Sequence, residues 1–256
     1  ELCASQGFEQ VQAHEPATHR VTATVVFEDS VQERCLEVDS IGCAIHHLRD
    51  TEVLDMTGML LTRERFLARD PMPEDPRCFN HWPYLHVASP DEALLTPPEP
   101  VRWQGPSAAC VAQGFGANYY TWLLEVMPRV RLLRDHLGEL PVLVFHYKLT
   151  AWQWAILELL EVPAEKVAEL PGNPPLLFDE LIQASTSYRE VPSPAALRSL
   201  RADLFGKLGL ESGPGDRKLF VSRRGVRNRQ LVNTEEVEAA FVAQGFEIIS
   251  PESMSI

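Results

Sequence analysis

A cluster of arginines near the end of the chain is the clearest candidate for chemistry. Six of the 23 lysine and arginine residues fall between Arg217 and Arg229, in a chain whose net charge is −13. Guanidinium groups form paired hydrogen bonds with phosphate oxygens. The segment lies where a predicted strand ends and a predicted helix begins, and the first N–H groups of a helix attract anions. The pattern favours a phosphate site, with a solvated basic loop that pairs with nearby acids as the alternative.

A second candidate is the segment that runs from Asn118 to Arg129. Thr121, Glu125 and Arg129 are four residues apart, so they share one face of a predicted helix. On spacing alone, an ordinary helical ion pair between Glu125 and Arg129 is the simpler interpretation. The aromatic residues after Asn118 would instead suit the wall of a sugar-binding site.

The histidines give weaker signals. His146 follows the apolar run 141–145, at the carboxyl end of a predicted buried strand. That position predicts either an edge that faces a ligand or ordinary packing. His46 and His47 are adjacent, and no histidine or cysteine spacing is typical of a metal site. We therefore predict neither a metal site nor a bound cofactor.

The elements that must position these residues change in character along the chain. Residues 1–105 are predicted to be β-rich, with an extended proline-rich loop over 71–106. Alternating helices and strands then predict an α/β layer with right-handed crossovers. The predicted helices cover 118–138 with a kink at Pro128, 150–161, 164–170, a segment that begins at Ser193, and 234–244. The predicted strands cover 141–145, 181–184, 218–222 and 246–249. Residues 211–215 read as a linker.

Composition excludes several classes of protein. Apolar residues make up 45% and charged residues 23%, which is typical of a folded globular chain. No apolar run approaches the ~20 residues that cross a bilayer. The net charge of −13 argues against nucleic-acid binding. Five widely spaced cysteines predict buried thiols. The chain begins at Glu1 and stops at Ile256 inside a predicted βαβ pattern, so we expect it to be a fragment.

The two candidate segments together resemble one known family. Residues 118–129 read N-Y-Y-T-W-L-L-E-V-M-P-R, and residues 217–238 read R-K-L-F-V-S-R-R-G-V-R-N-R-Q-L-V-N-T-E-E-V-E, followed by G-F-E at 245–247. They resemble the N-Y-Y-H-W-L-L-E-x-x-P-R and S-R-R … R-x-L-x-N-E-x-E-V … G-F-E segments of glycosyltransferase family 61. The resemblance covers roughly residues 110–252. Thr121 stands where the family usually has histidine.

The resemblance implies a GT-B-like α/β fold of two Rossmann-like halves. The acceptor-side domain would span 1–210, with a β-rich part at 1–105 and an α/β part at 106–210. Residues 211–256 would begin the nucleotide-sugar-binding domain. The family's later G-x-H-G-A-G donor loop would lie beyond Ile256, so this domain is expected to be incomplete here.

The resemblance also implies an activity. It is the inverting, metal-independent transfer of a hexose or pentose from a nucleotide-sugar donor to a glycan acceptor, in polysaccharide biosynthesis. Displacing a nucleoside diphosphate builds negative charge that preorganised cations must hold. We assign that role to Arg223, Arg224 and Arg229. The acceptor hydroxyl needs a base, for which Glu125 is the first choice and His146 the reserve.

The remaining residues of the first segment are assigned to the acceptor. These are Asn118, Tyr119, Tyr120, Thr121 and Arg129. Two rival hypotheses stay open: a non-catalytic relative that binds a nucleotide-sugar or a glycan, and an interaction module that grips an acidic partner through the basic loop. The lack of glycosylation sequons and the 19 arginines against four lysines favour a bacterial cytoplasmic protein. A targeting segment before Glu1 would instead place it in the secretory-pathway lumen.

Overall fold

The fold is taken from a computed structural model. It describes residues 9–14, 17–27, 30–40, 42–54, 59–63, 85–89, 92–111, 118–170, 172, 174–185, 193–211, 215–225 and 231–251. The chain divides into two compact units, Glu1–Lys207 and Leu208–Ile256. The mixture of strands and helices confirms the predicted α/β class.

The first hundred residues of the first unit form strands wherever they are described, apart from short connections. The strands are β1 (Glu9–His14), β2 (Ala17–Phe27), β3 (Ser30–Ser40), β4 (Cys43–Val53), β5 (Leu60–Leu61), β6 (Leu85–Ser89), β7 (Glu92–Leu95) and β8 (Val101–Arg102). β2 and β3 pair antiparallel, as do β6 and β7.

The extended loop predicted over 71–106 is wrong for part of that range, because β6, β7 and β8 lie inside it. The prolines at 83, 90 and 97 fall outside the two strands of the β6–β7 hairpin. A high proline content is therefore compatible with strands here, since no proline lies within β6 or β7 and the ladder donors stay intact. Residues 71–84 lie outside the described residues.

A mixed sheet forms the centre of the first unit. Its later strands are β9 (Ala108–Cys110), β10 (Val142–Phe145), β11 (Val167–Glu169) and β12 (Leu176–Ser185). The strand order is β1-β4-β12-β9-β10-β11. The β12–β9, β9–β10 and β10–β11 pairs are parallel, whereas β4 runs antiparallel to β12. The carboxyl ends of β9, β10 and β12 therefore meet at one edge of the sheet.

Helices of the first unit pack on one face of this sheet. They are α1 (Tyr119–Thr121), a π-helix (Trp122–Val126), α2 (Met127–His136), α3 (Ala151–Leu159), a 3-10 turn (Ala164–Lys166) and α4 (Pro194–Leu208). Apolar side chains of these helices share a buried cluster with one face of the strands, among them Trp122, Leu133 and Phe145. Val144 and Leu181 belong to a second cluster, because alternate residues of a strand point to opposite faces.

The helix predicted over 164–170 is wrong. Only the 3-10 turn is helical, and Val167–Glu169 forms β11, which pairs in parallel with β10. Pairing with a buried strand outweighs the local helical preference of so short a segment. The strand predicted at 181–184 exists and is longer, since β12 begins at Leu176.

The second unit contains a small parallel βαβ arrangement, as predicted. Strand β13 (Leu219–Val221) pairs with β14 (Glu247–Ile249), and α5 (Thr234–Ala243) joins them. Phe241 of α5 stacks on Phe220 with 4.2 Å between ring centroids. Asn233 precedes α5, but its side chain makes no cap bond; its amide donates to Glu236 Oε2 at 3.3 Å. Among the described residues, no helix is long and apolar enough to cross a membrane.

Candidate functional site

The helix that begins after Asn118 buries its polar row. The Asn118 side chain caps the helix by accepting from the Tyr120 N–H at 2.8 Å. Thr121 is 1% exposed, and Glu125 and Arg129 are each 2% exposed. An ordinary ion pair on the helix surface would be solvated. The burial of Glu125 and Arg129 excludes that interpretation. Charged side chains are rarely buried in the absence of a structural or functional reason.

Glu125 lies within the π-helix rather than in regular α-helix. The Met127 N–H donates to the Trp122 carbonyl, one residue further back than in an α-helix. Pro128 follows at the start of α2 and has no N–H to donate to the carbonyl four residues before it. We predicted a kink at Pro128, and the structure places a π-helix immediately before it. Single π-turns inside helices occur frequently at functional sites.

An aromatic cluster lies at the start of this helix. Tyr119 is 59% and Tyr120 is 48% exposed, although both are large rings. The Tyr119 ring lies 5.3 Å from the ring of Trp152 on α3, and Trp152 also contacts Trp122 at 5.8 Å. The exposed ring of Tyr119 thus rests on Trp152, which packs on the buried core. Sequence reasoning missed Trp152, because nothing in the spacing links 119 with 152.

His146 follows β10 and is 2% exposed. Its neighbour Phe145 packs on Trp122 at 5.5 Å between ring centroids. Neither ring nitrogen of His146 has a hydrogen-bond partner within the described part of the chain. Burial lowers the pKa of His146 to about 4, because the imidazolium ion loses its hydration. The side chain is therefore neutral at pH 7 and is a weaker base than an exposed histidine.

The second unit carries the basic segment. Arg223, Arg224 and Gly225 line an open cavity of about 460 Å³ together with the first residues of α5. This brings two of the predicted phosphate ligands to a helix N-terminus. Arg229 lies outside the described residues. Glu235 and Glu236 occupy the first turn of α5, where they stabilise the helix dipole and weaken its attraction for an anion.

Arg224 is engaged by carboxylates. Its Nη2 donates to Glu238 Oε2 at 2.7 Å, and its backbone N–H donates to Ser222 Oγ at 3.0 Å. The Ser222 hydroxyl in turn donates to Glu238 Oε1 at 2.5 Å. The hydrogen bond from Arg224 first, and that from Ser222 second, hold the pKa of Glu238 below its usual value. For Arg224, these contacts match the alternative interpretation, in which a basic loop pairs with nearby acids.

Two more polar side chains lie at the edge of the sheet, and sequence reasoning missed Gln183. Gln183 of β12 is 3% exposed, and its Oε1 has no hydrogen-bond partner in the described ranges. The hydroxyl of Tyr147 is also buried and has no hydrogen-bond partner in the described ranges. A polar residue inside the predicted strand 181–184 was the available signal for Gln183. No group of three or more His, Cys, Asp or Glu within the described segments could hold a metal ion.

Comparison with known proteins identifies the class. The family model described as Glycosyltransferase 61 matches residues 119–256, which is more than half of the chain. The protein is thus a glycosyltransferase by class. It belongs to glycosyltransferase family 61, and the resemblance seen in the sequence is confirmed. No curated protein and no solved structure matches the chain.

Proposed function

We propose that this chain carries out inverting, metal-independent transfer of a hexose or pentose from a nucleotide-sugar to a glycan acceptor. Family membership supports glycosyl transfer in general. The observation that carries the finer proposal is Glu125, a carboxylate that is 2% exposed within a π-helix of the family segment. A carboxylate buried at such a position is a candidate general base.

The reaction requires a proton transfer and a displacement. The Glu125 carboxylate accepts the proton of an acceptor hydroxyl as that oxygen forms a bond to the anomeric carbon of the donor sugar. The bond between this carbon and the diphosphate oxygen breaks, and the nucleoside diphosphate leaves with its electron pair. Attack from the face opposite the leaving group inverts the anomeric configuration. His146 remains the reserve base, and burial, which lowers its pKa to about 4, makes it a weaker base than an exposed histidine.

On the donor side, Arg223, Arg229 and the N-terminus of α5 would hold the leaving phosphates. Arg223 and the first residues of α5 line one cavity, which supports this placement. Arg224 would contribute mainly by ordering the loop, since its guanidinium is held by Glu238 at 2.7 Å. Fixed cations at the leaving group stabilise the charge that develops there, and this is the role that the metal-independent mechanism demands.

On the acceptor side, the exposed rings of Tyr119 and Tyr120 would contact the glycan. Asn118 orders these rings because its side chain caps their helix. Thr121 and Arg129 are buried on the same helix as Glu125 and would support its position. We further propose a GT-B-like pair of Rossmann-like domains, no bound cofactor, and a role in polysaccharide biosynthesis in the bacterial cytoplasm. The lumen of the secretory pathway is the alternative location.

A second candidate is a relative that binds nucleotide-sugar or glycan without turnover. Thr121 favours it, because this residue stands at the usual position of the family histidine and cannot act as a base at neutral pH. Both candidates bind a sugar-containing ligand, and only the transferase catalyses a reaction.

A thermal-shift titration of the full-length protein with a panel of nucleoside diphosphates tests the donor side. A ligand at 100 times its dissociation constant stabilises by about 2.7 kcal/mol. We expect one nucleotide to raise the melting temperature, and Arg223→Ala to remove most of that shift. Lys207→Ala is the matched control, since Lys207 pairs with Glu161 in the first unit. No shift with any nucleotide would contradict the transferase and would leave, of the second candidate, only a relative that binds a glycan.

A further inference from the structure

Two aromatic side chains from different helices meet at the surface of the first unit. Tyr119 begins α1 and is 59% exposed, and Trp152 lies in the first turn of α3 and is partly exposed. Their ring centroids are 5.3 Å apart, and the ring planes are inclined by 53°. The two rings form an aromatic pair that a ligand can reach from solvent.

The elements around the aromatic pair hold it in place. Trp152 packs edge-on against Trp122 with 5.8 Å between ring centroids, and Trp122 is fully buried. The Thr150 N–H donates to Gln153 Oε1 at 2.8 Å, and this bond orders the first turn of α3, which carries Trp152. A surface that is ordered before a ligand arrives loses little conformational entropy on binding.

Core packing does not explain the exposure of Tyr119. An apolar ring gains free energy by leaving water, yet more than half of the Tyr119 side chain stays in contact with solvent. Within the described part of the chain, Tyr119 and Tyr120 are the only aromatic side chains that are exposed. Two adjacent exposed rings, one of which contacts a third ring, indicate an interaction site rather than scattered surface residues.

The aromatic pair lies on the helical segment that carries the candidate base. Six residues separate Tyr119 from Glu125, a rise of about 9 Å at the α-helical spacing. Trp122, on which Trp152 packs, belongs to the same π-helix as Glu125. A short glycan can span this separation, so one sugar unit can contact the pair while another is close to Glu125.

The chemistry of the two rings selects the ligand. The face of an aromatic ring is electron-rich, and the C–H groups on the face of a pyranose ring are apolar and weakly positive. The Tyr119 hydroxyl and the Trp152 indole N–H can bond to sugar hydroxyls at the edge of such a stack. The pair contributes no cation, so it offers nothing that would neutralise a carboxylate or phosphate on the sugar.

We propose that Tyr119 and Trp152 form a stacking subsite for a neutral pyranose unit of the acceptor glycan. The proposal rests on the transferase function proposed above; it adds Trp152 as a binding residue and names the class of acceptor. The sugar covers apolar ring surface that the folded chain leaves in water, and the release of that water favours binding.

Fluorine NMR of the full-length protein labelled with 5-fluorotryptophan tests the subsite. The chain has five tryptophans, and Trp152→Phe identifies the resonance of Trp152. The ligands are the methyl β-glycosides of glucose, galactose and xylose, with methyl β-glucuronide as the charged counterpart. At least one neutral glycoside should shift the Trp152 resonance. Trp103 is the internal control and should not shift, because it packs on Phe178 in the other apolar cluster.

Tyr119→Ala should weaken binding of the neutral glycoside about tenfold, as expected when the apolar contact of one ring is lost. Leu94→Ala is the matched control, since Leu94 lies on β7 and is 61% exposed, close to the value for Tyr119. This variant should bind as wild type does.

Three results would overturn the subsite. They are a Trp152 resonance that no neutral glycoside shifts, binding of the glucuronide alone, and unchanged affinity in Tyr119→Ala. Failure of the transferase function would appear separately, as a wild-type protein whose Trp152 resonance responds to the glycoside and which releases no nucleotide from any donor.

Discussion

The indole of Trp122 packs on the ring of Phe145 with 5.5 Å between ring centroids. Both side chains are fully buried. The contact joins the π-helix, which carries Glu125, to the strand that precedes His146. The positions of the two candidate bases thus depend on one aromatic contact in the core.

Trp122→Ala is expected to destabilise the protein by about 3–5 kcal/mol, because it leaves a large cavity beneath the π-helix. Chemical denaturation measures the change. Trp154→Ala is the control: Trp154 lies on α3 and is only partly buried against the same cluster. Trp154→Ala should lower the free energy of unfolding clearly less than Trp122→Ala does. An equal loss in both variants would contradict the role of Trp122.

His146 should make the stability of the protein depend on pH. Its pKa is about 4 in the folded protein, against a usual value near 6.5, so the unfolded chain binds the extra proton first as the pH falls. The contribution of the neutral imidazole to the free energy of unfolding is fully present above pH 6.5. About 3 kcal/mol of it is lost as the pH falls toward 4. Urea denaturation of wild type and His146→Leu at pH 7 and pH 4 measures this.

The variant should lose less stability on acidification than wild type does. His136→Gln serves as the control, since His136 is exposed at the end of α2. Its pH dependence should match that of wild type. Equal losses in wild type and His146→Leu would show that the buried imidazole does not control this transition.

Asp203 should hold α2 and α4 together. Its Oδ2 lies 2.7 Å from Arg131 Nη1 and 2.6 Å from Arg134 Nη2, and all three side chains are largely shielded from solvent. Burial raises the pKa of Asp203, but the hydrogen bond from Arg134 and the nearby cations outweigh it and lower the pKa overall. Asp203→Asn is therefore expected to cost about 2 kcal/mol at pH 7.

This contribution is present above the usual aspartate pKa and is lost as the pH falls below it. Asp179→Asn is the control, because Asp179 pairs with Arg102 and is 66% exposed. Exposed pairs contribute little, so the control should cost less than about 0.5 kcal/mol. A smaller effect at Asp203 than at Asp179 would refute the assignment.

Much of the α/β part could be predicted from apolar spacing. The strand at 142–145 and the helix at 151–159 lie where the sequence pattern placed them. The segment 164–170 could not be predicted, because its strand depends on pairing with β10. The burial of Glu125 also escaped prediction, since spacing i, i+4 is the same for a solvated pair and for a buried row.

The basic segment shows a similar limit. Charge clustering indicated the loop, but it could not show that Glu238, 14 residues away, would hold Arg224. Gln183 was missed because a single polar residue in an apolar strand carries no spacing signal of its own. Such partners depend on tertiary packing, and spacing along the chain does not report it.

The most direct test of the proposed function is to measure acceptor-dependent release of nucleoside diphosphate from nucleotide-sugars by the full-length protein in EDTA. We expect release by wild type, and a loss of about 10²–10⁴-fold in Glu125→Gln, as for removal of a general base. Glu158→Gln should retain full activity, since Glu158 is exposed on α3. Release that EDTA abolishes, or that Glu125→Gln leaves unchanged, would contradict the proposed mechanism, and no release from any donor would favour the non-catalytic relative.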